Sequence, residues 1–148
     1  MADPAVNVDY ESPACMNLQM LRASHFVLKA YDDAYRPYGI RATQLPVLSL
    51  IGCRGPVSIK AIAEETASER SVLSRKIAVM EKSGWIREEP QRRGREKCFV
   101  LTDQGREILE SVIPVRDQVQ QRLLGRLSAE EQGLLMSLCG KLQGLDAE

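Results

Sequence analysis

The sequence predicts a mainly α-helical protein that carries one small β-hairpin. Apolar residues recur at helical spacing along most of the 148 residues. The exception is a pair of short strand-like runs, residues 85–88 and 97–101, separated by a polar tip that contains a glycine. Two short helical patterns, joined by a turn of small and polar residues, precede this hairpin. Helix, turn, helix and hairpin in this order predict a winged helix-turn-helix with additional helices at both ends.

The N-terminal part of the chain predicts one long helix. Residues 1–14 contain two prolines and three acidic residues and predict an irregular segment. A wide apolar stripe then runs at helical spacing through residues 16–36, and Pro37 ends the pattern. The stripe is more apolar than a lone small domain requires, so we expect residues 15–40 to form an N-terminal dimerisation helix.

We expect residues 41–102 to form the winged helix-turn-helix module. Its first helix begins at Thr43, a candidate N-cap. The two shorter helices that follow begin after Ser58 and Ser68, which are also candidate N-caps. Gly84 ends the second of them, because glycine readily adopts the left-handed conformation that follows a helix C-terminus.

The second short helix is amphipathic. Its apolar face comprises Leu73, Ile77 and Met80, and the residues that point away from this face include Ser71, Ser74 and Arg75. A helix that is polar on its free side fits the major groove of DNA. The serines at the two helix starts, Ser58 and Ser68, are further candidate DNA contacts.

The hairpin tip carries three arginines, Arg92, Arg93 and Arg95, which we expect to contact a neighbouring minor groove or the phosphates. The whole chain is neutral, with 20 basic and 20 acidic residues, but residues 68–97 contain nine basic and five acidic ones. A solvated charged face on an ordinary helical domain is the alternative interpretation. The helix-turn-helix spacing together with the arginine-tipped hairpin favours a protein that binds double-stranded DNA with one face.

Two further helices are predicted after the hairpin, and we assign residues 103–148 to dimerisation. Thr102 is a candidate N-cap for the first of them, and Pro114 should bend it. Residues 128–131 form a capping box, S-x-x-E, that begins the last helix. A two-fold homodimer would present two such helix-turn-helix modules to a pseudo-palindromic operator with half-sites about one helical turn apart. The alternative is that the long helices complete a monomeric core.

Composition argues against several other classes of protein. No apolar run approaches the ~20 residues that span a bilayer, and the first 15 residues lack the basic and apolar regions of a secretory signal. The four cysteines are scattered and the chain has one histidine, which argues against a zinc site or a disulfide framework. With no nucleophile motif and no phosphate-binding glycine loop, we expect a cytoplasmic protein that is not an enzyme and uses no metal or cofactor.

Several short motifs are informative through their order and spacing. They are Tyr38-Gly39-Ile40, Thr43-Gln44-Leu45, Ala61-Ile62-Ala63, Glu69-Arg70-Ser71, Ser74-Arg75, residues 80–84 (MEKSG) and residues 101–106 (LTDQGR). Together they resemble the MarR family of bacterial multiple-antibiotic-resistance-type regulators, over about residues 18–142. The resemblance implies a homodimeric winged-helix transcription regulator, usually a repressor, which a small phenolic or aromatic ligand or the oxidation of a cysteine releases from DNA.

The resemblance also implies roles for individual residues. The groove-facing positions of the family's recognition helix are occupied here by Ser71, Val72, Ser74 and Arg75, and a basic position near its N-terminus by Arg70. The family's wing often carries Asp-x-Arg, whose arginine enters the minor groove. Arg95 matches that arginine, but Arg93 stands at the aspartate position. Either Glu96 or Glu89 replaces the aspartate, or the wing binds in a more purely electrostatic way.

For release from DNA the sequence leaves two hypotheses. Cys15 lies just before the first long helix, near the position of the reactive cysteine in the family's peroxide sensors, so a redox role competes with that of a buried or tolerated cysteine. The other hypothesis is a small aromatic effector between the dimer helices and the winged module, contacted by Arg22, His25, Phe26 and Tyr38. An interface histidine is the alternative role for His25. We expect Cys53, Cys98 and Cys139 to lie in the core.

A different functional class is also open. Winged helices serve in some proteins as interaction modules that make no DNA contact. Such a module should carry an apolar or acidic outward face on its second helix, whereas this helix carries serines and Arg75.

Overall fold

Helices make up most of the fold. The strands of one small sheet lie between the second and third helices and between the fourth and fifth helices. The computed structural model describes residues 15–90 and 96–144. In chain order its helices are α1 (Met16–Tyr35), α2 (Leu45–Arg54), α3 (Ile59–Glu65), α4 (Arg70–Lys82), α5 (Asp103–Leu124) and α6 (Ala129–Leu142). The strands are β1 (Val57–Ser58), β2 (Ile86–Glu89) and β3 (Cys98–Leu101). The predicted mainly helical, winged helix-turn-helix fold is confirmed. None of the helices within these described ranges is long and apolar enough to cross a membrane.

One apolar core joins the winged module to the long helices. Its fully buried side chains include Tyr35 of α1, Leu48 of α2, Ile62 of α3, Leu73 of α4, Phe99 of β3 and Val112 of α5. Helices α1 and α5 also pack against each other. The first half of α5 therefore belongs to the same core as the helix-turn-helix, while its second half continues away from that core towards α6.

The long N-terminal helix ends where its sequence predicts. α1 stops at Tyr35 and is followed by a 3₁₀ turn over Arg36–Tyr38, in which Pro37 provides the first-turn proline. Gly39 then adopts a left-handed conformation with φ 70° and donates its N–H to the carbonyl of Arg36 at 3.1 Å. This turn reverses the chain towards α2.

Two of the predicted N-caps are wrong. α2 begins at Leu45 with Gln44 as its N-cap residue, so Thr43 does not cap it, and the Gln44 side chain instead accepts the N–H of Arg41 at 2.8 Å. Likewise Glu69, not Ser68, is the N-cap residue of α4. The Ser68 hydroxyl is used inside the preceding turn, where it hydrogen-bonds with Thr66, because the chain passes through a positive φ of 47° at Ala67.

The other predicted caps are confirmed. The Ser58 hydroxyl accepts the N–H of Ala61 at 3.2 Å at the start of α3. The Thr102 hydroxyl accepts the N–H of Gly105 at 3.0 Å at the start of α5, and Ser128 forms a complete capping box with Glu131 at the start of α6. Pro114 lies inside α5.

The sheet has three antiparallel strands in the order β1-β3-β2, one more than the hairpin predicted. β2 and β3 pair from Ile86 opposite Leu101 to Glu89 opposite Cys98, and β1 pairs Val57 with Phe99. The predicted first strand began one residue too early, because the Trp85 N–H completes the C-terminus of α4 by donating to the carbonyl of Met80 at 3.0 Å.

A tight junction, formed by Gly84, Trp85, Thr102 and Gly105, fastens the end of α4 to the start of α5. The Thr102 hydroxyl donates to the Gly84 carbonyl, and the Thr102 N–H donates to the Trp85 carbonyl at 3.0 Å. Gly84 has φ 75°, which confirms the predicted left-handed glycine after α4. A Cβ at Gly105 would lie 1.8 Å from the Trp85 carbonyl oxygen. The two helices therefore meet backbone to backbone.

The cysteines differ in burial. Cys98 is buried in β3, as predicted. The prediction that Cys139 lies in the core is wrong, because its side chain is half-buried on α6, a helix with no buried residue. The prediction that Cys53 lies in the core is wrong, because its side chain is exposed. The buried face of α2 runs through Leu48 and Ile51, and two residues beyond Ile51 the helix has turned by about 200°.

Candidate nucleic-acid interface

Helix α4 has one buried face and one free face. Leu73, Ile77 and Met80 are at most 2% exposed and anchor the helix in the core. On the other sides of the helix, Ser71, Ser74 and Arg75 are exposed to solvent. The division of the helix surface follows the predicted apolar face, so the free face presents hydroxyl groups and a guanidinium group from a helix that is held in place from behind.

The cations of α4 are not neutralised within the described residues. Some basic side chains elsewhere are paired, as in Arg54 with Glu65 at 2.6 Å between α2 and α3. Among the residues that the structure describes, Arg70, Arg75 and Lys76 take part in no ion pair. Their charge is available to an anionic partner such as the phosphates of a nucleic acid.

The serines of the helix-turn-helix differ in how much hydrogen-bonding capacity each hydroxyl group has left. Ser74 donates its hydroxyl proton to the carbonyl of Arg70 at 2.8 Å, which leaves acceptor capacity on its oxygen. Ser58 is the N-cap of α3 and is half-buried, and Ser68 is held in the turn before α4. Ser68 and Arg70 line a shallow depression between α3 and the start of α4.

The arginines predicted at the wing tip, Arg92, Arg93 and Arg95, lie outside the described residues. The base of the wing is described on both strands. There the Lys97 ammonium donates to the Glu88 carboxylate at 2.9 Å, and this hydrogen bond raises the pKa of Lys97. Glu89, one of the two predicted substitutes for the missing aspartate, pairs with Arg87 at 3.2 Å.

A second candidate site is an apolar cavity of about 380 Å³ between α1, α5 and α6. Its walls include Phe26, Val27 and Tyr31 of α1, Leu123 and Leu124 of α5, and Met136 of α6. At its edge, the Arg126 guanidinium carbon lies 5.8 Å from the centroid of the Phe26 ring, a cation–π distance. Burial raises the pKa of Tyr31, so its phenol is neutral near pH 7. The cavity combines an aromatic wall with one cation at the rim.

The four predicted effector-binding residues do not line this cavity as a group. Phe26 does, but Arg22 and His25 are exposed on α1 outside it, and Tyr38 packs against the main core. The cavity's cation, Arg126, was not predicted, because it lies 100 residues along the chain from Phe26. Only the long-range packing of α1 on the end of α5 brings these two side chains together.

The remaining predicted sensor residue, Cys15, is the exposed N-cap residue of α1 and its side chain makes no capping hydrogen bond. The described residues contain no group of three or more His, Cys, Asp or Glu side chains that could hold a metal ion.

Large apolar side chains are exposed on α1 and α6. On α1 they are Met16, Met20, Leu21, Phe26, Val27 and Leu28, and on α6 they are Leu134, Leu135, Met136, Leu138 and Leu142. Several of them are about half exposed or more, and both helices flank the apolar cavity. A concentration of exposed apolar side chains on two helices is typical of a protein–protein contact.

Comparison with known proteins gives consistent matches. A model of the MarR family matches residues 38–96. The transcriptional regulator HosA of Escherichia coli is 36% identical over 100 residues, which are 67% of this chain and 74% of HosA. The crystal structure of the M. tuberculosis transcriptional regulator MosR in complex with DNA is similar with a TM-score of 0.75 at 25% identity, covering 90% of this chain and 99% of that chain. Bordetella bronchiseptica BpsR, whose DNA binding is regulated by 6-hydroxynicotinic acid, is similar with a TM-score of 0.77 at 20% identity, covering 86% of this chain and 97% of that chain.

Proposed function

The chain belongs to the MarR family of transcriptional regulators, and we propose that it binds double-stranded operator DNA sequence-specifically as a homodimer. The observation that carries the proposal is the free face of α4, which is polar and basic while the opposite face is buried in the core. A helix is about 10–12 Å across with its side chains, which matches the roughly 12 Å width of the major groove.

We assign base reading to the exposed residues near the start of α4. Arg75 is the candidate for a two-pronged contact with a guanine edge, and Ser71 and Ser74 are candidates for hydrogen bonds to bases or phosphates. The wing arginines Arg92, Arg93 and Arg95 are assigned to the adjacent minor groove or to phosphates. MosR, which has the same fold, was crystallised with DNA, and this supports DNA binding by this chain.

We assign dimerisation to α1 and α6. The exposed apolar side chains of both helices that lie outside the cavity would be removed from water in a two-fold dimer, and a small monomer rarely leaves so many of them uncovered. The dimer would carry two copies of α4 to a pseudo-palindromic site. Sedimentation as a monomer at micromolar concentration would contradict this part of the proposal.

We further propose that the protein is a repressor and that a small aromatic acid releases it from DNA. The apolar cavity supports this class of effector, because the Phe26 ring provides a stacking surface and Arg126 provides a cation for a carboxylate. The regulation of BpsR by an aromatic acid is consistent with it. A thermal-shift screen of aromatic acids tests the assignment, since a ligand that binds the folded state raises the melting temperature.

An alternative trigger is oxidation of Cys15, which its exposure supports. Peroxide treatment of the parent and of Cys15→Ser, followed by operator titration, distinguishes the two triggers. If peroxide leaves the affinity of the parent unchanged, or if the serine variant still responds, Cys15 has no redox role.

DNA binding itself is tested by titrating the full-length protein against labelled duplex from the DNA upstream of its own gene and against a random duplex. The proposal expects tighter binding to the first, and an affinity for both that falls steeply with salt because phosphate contacts release counterions. A protein-interaction module, the alternative class, should show no steep salt dependence and no preference.

A further inference from the structure

The recognition helix exposes an apolar side chain that the core does not use. Val72 is 42% exposed and lies outside the hydrophobic core, next to the buried Leu73. Valine also lowers helix propensity, because its branched side chain loses rotamer freedom against the preceding turn. Neither packing within the described chain nor helix formation therefore accounts for a valine at this position.

Val72 lies in the first turn of α4, the part of a recognition helix that reads bases. Val72 is the third residue of the helix, directly after Ser71 and one turn before Arg75. In helix-turn-helix proteins it is the N-terminal residues of the recognition helix that contact base edges. Val72 is thus an apolar group between two polar ones on the surface that faces the groove.

We propose that Val72 reads a thymine through its 5-methyl group, so that each operator half-site contains a thymine close to the guanine contacted by Arg75. The proposal rests on the DNA-binding function proposed above. Thymine is the only base that presents an apolar group in the major groove. Against any other base edge, an isopropyl group would cover hydrogen-bonding atoms without replacing their bonds to water.

The helix geometry sets the spacing of the two contacts. Residues three apart in a helix are separated by about 4.5 Å along its axis, and base pairs in B-form DNA by about 3.4 Å. The thymine and the guanine therefore lie within about two base pairs of each other. The single preferred rotamer of a helical valine also means that little side-chain entropy is lost when the methyl groups meet.

The experiment uses the full-length protein and duplexes selected with it from a randomised library. Each enriched thymine is replaced in turn by deoxyuridine, which removes only the methyl group and leaves pairing unchanged. In each half-site, one of these single replacements should weaken binding about fourfold, which corresponds to about 0.8 kcal/mol for one buried methyl group. Replacement of the other thymines should have little effect.

Two valine variants assign the contact. Val72→Ala should bind the thymine and deoxyuridine duplexes with equal affinity. Val79→Ala is the matched control, because Val79 lies seven residues later on the same side of α4 and is 51% exposed. This variant should keep the fourfold difference. Both side chains are exposed, so both variants should melt close to the parent.

Deoxyuridine tolerated at every enriched thymine would refute the valine–thymine contact while leaving DNA binding intact. A fourfold difference that persists in Val72→Ala, or that is lost in Val79→Ala instead, would also refute it. Failure to enrich any duplex, with no affinity for random DNA, would overturn the proposed function and this inference together.

Discussion

Replacing Gly105 by alanine should destabilise the fold through the junction between α4 and α5. A Cβ at this position would lie 1.8 Å from the carbonyl oxygen of Trp85, and the atoms in its way are backbone atoms. No side chain can rotate aside to relieve the overlap. The start of α5 must move away from Trp85, and the hydrogen bonds that Thr102 makes to Gly84 and Trp85 lengthen or break.

The expected loss follows from these contacts. Overpacking of a tight site costs about 1–3 kcal/mol, and each of the two Thr102 hydrogen bonds contributes about 1 kcal/mol. The free energy of unfolding should therefore fall by about 3–5 kcal/mol, a large share of the stability of an ordinary domain. For a chain of this length the melting temperature should fall by roughly 10 °C or more.

Thermal and guanidinium unfolding, monitored by circular dichroism, measure this loss of stability. Gly133→Ala is the matched control, because Gly133 is a helical glycine of α6 at which an added Cβ would meet no neighbouring group within 4 Å. There alanine should raise stability by about 0.5–1 kcal/mol through helix propensity. A Gly105→Ala protein that melts within about 2–3 °C of the parent, equivalent to about 1 kcal/mol, would refute the backbone clash.

Four further predictions concern other parts of the molecule. Arg75→Ala should weaken operator binding by about 1–3 kcal/mol and relax specificity at one base pair in a fluorescence titration, whereas Arg22→Ala, which removes a charge from α1, should not. Ala67→Gly should stabilise the fold by up to about 1 kcal/mol in a thermal melt, because glycine adopts the positive φ of 47° without strain, and a lower melting temperature would contradict this. Leu138→Glu should shift sedimentation from dimer to monomer, since it places a charge in the apolar surface of α6, and an unchanged dimer would exclude this surface. Burial raises the pKa of Tyr35 from 10.0 to about 12, so the fold favours the neutral phenol; stability measured by urea unfolding should fall as pH rises from about 10 to 12, and less so in Tyr35→Phe.

Local sequence patterns were sufficient for much of the fold and for one face of the site. The spacing of Leu73, Ile77 and Met80 predicts which side of α4 is buried, because helical periodicity alone decides it. Caps such as Ser58 and Thr102 were also predictable, since their partners lie three residues away. These features depend on short-range geometry that the sequence order states directly.

Features that depend on long-range packing or on unusual backbone were not predictable. The two-residue strand β1 exists because Val57 pairs with Phe99, 42 residues away, and too few residues are involved to give a pattern. Ser68 is predicted as an N-cap from its residue type, and the positive φ of Ala67, which places Ser68 in the turn instead, has no signal in the sequence. The cavity depends on the meeting of Phe26 with Arg126, which only the packing of α1 on α5 brings about.

Helix α5 connects the proposed DNA-binding module to the proposed effector cavity. Its 22 residues span about 33 Å, with the Gly84–Thr102 junction at one end and the cavity residues Leu123 and Leu124 at the other. A rotation of α5 by about 6° about its cavity end displaces its N-terminal end by about 3.4 Å, the distance between neighbouring base pairs. If a ligand in the cavity tilted α5 by this small angle, α4 would therefore move along the duplex by about one base pair.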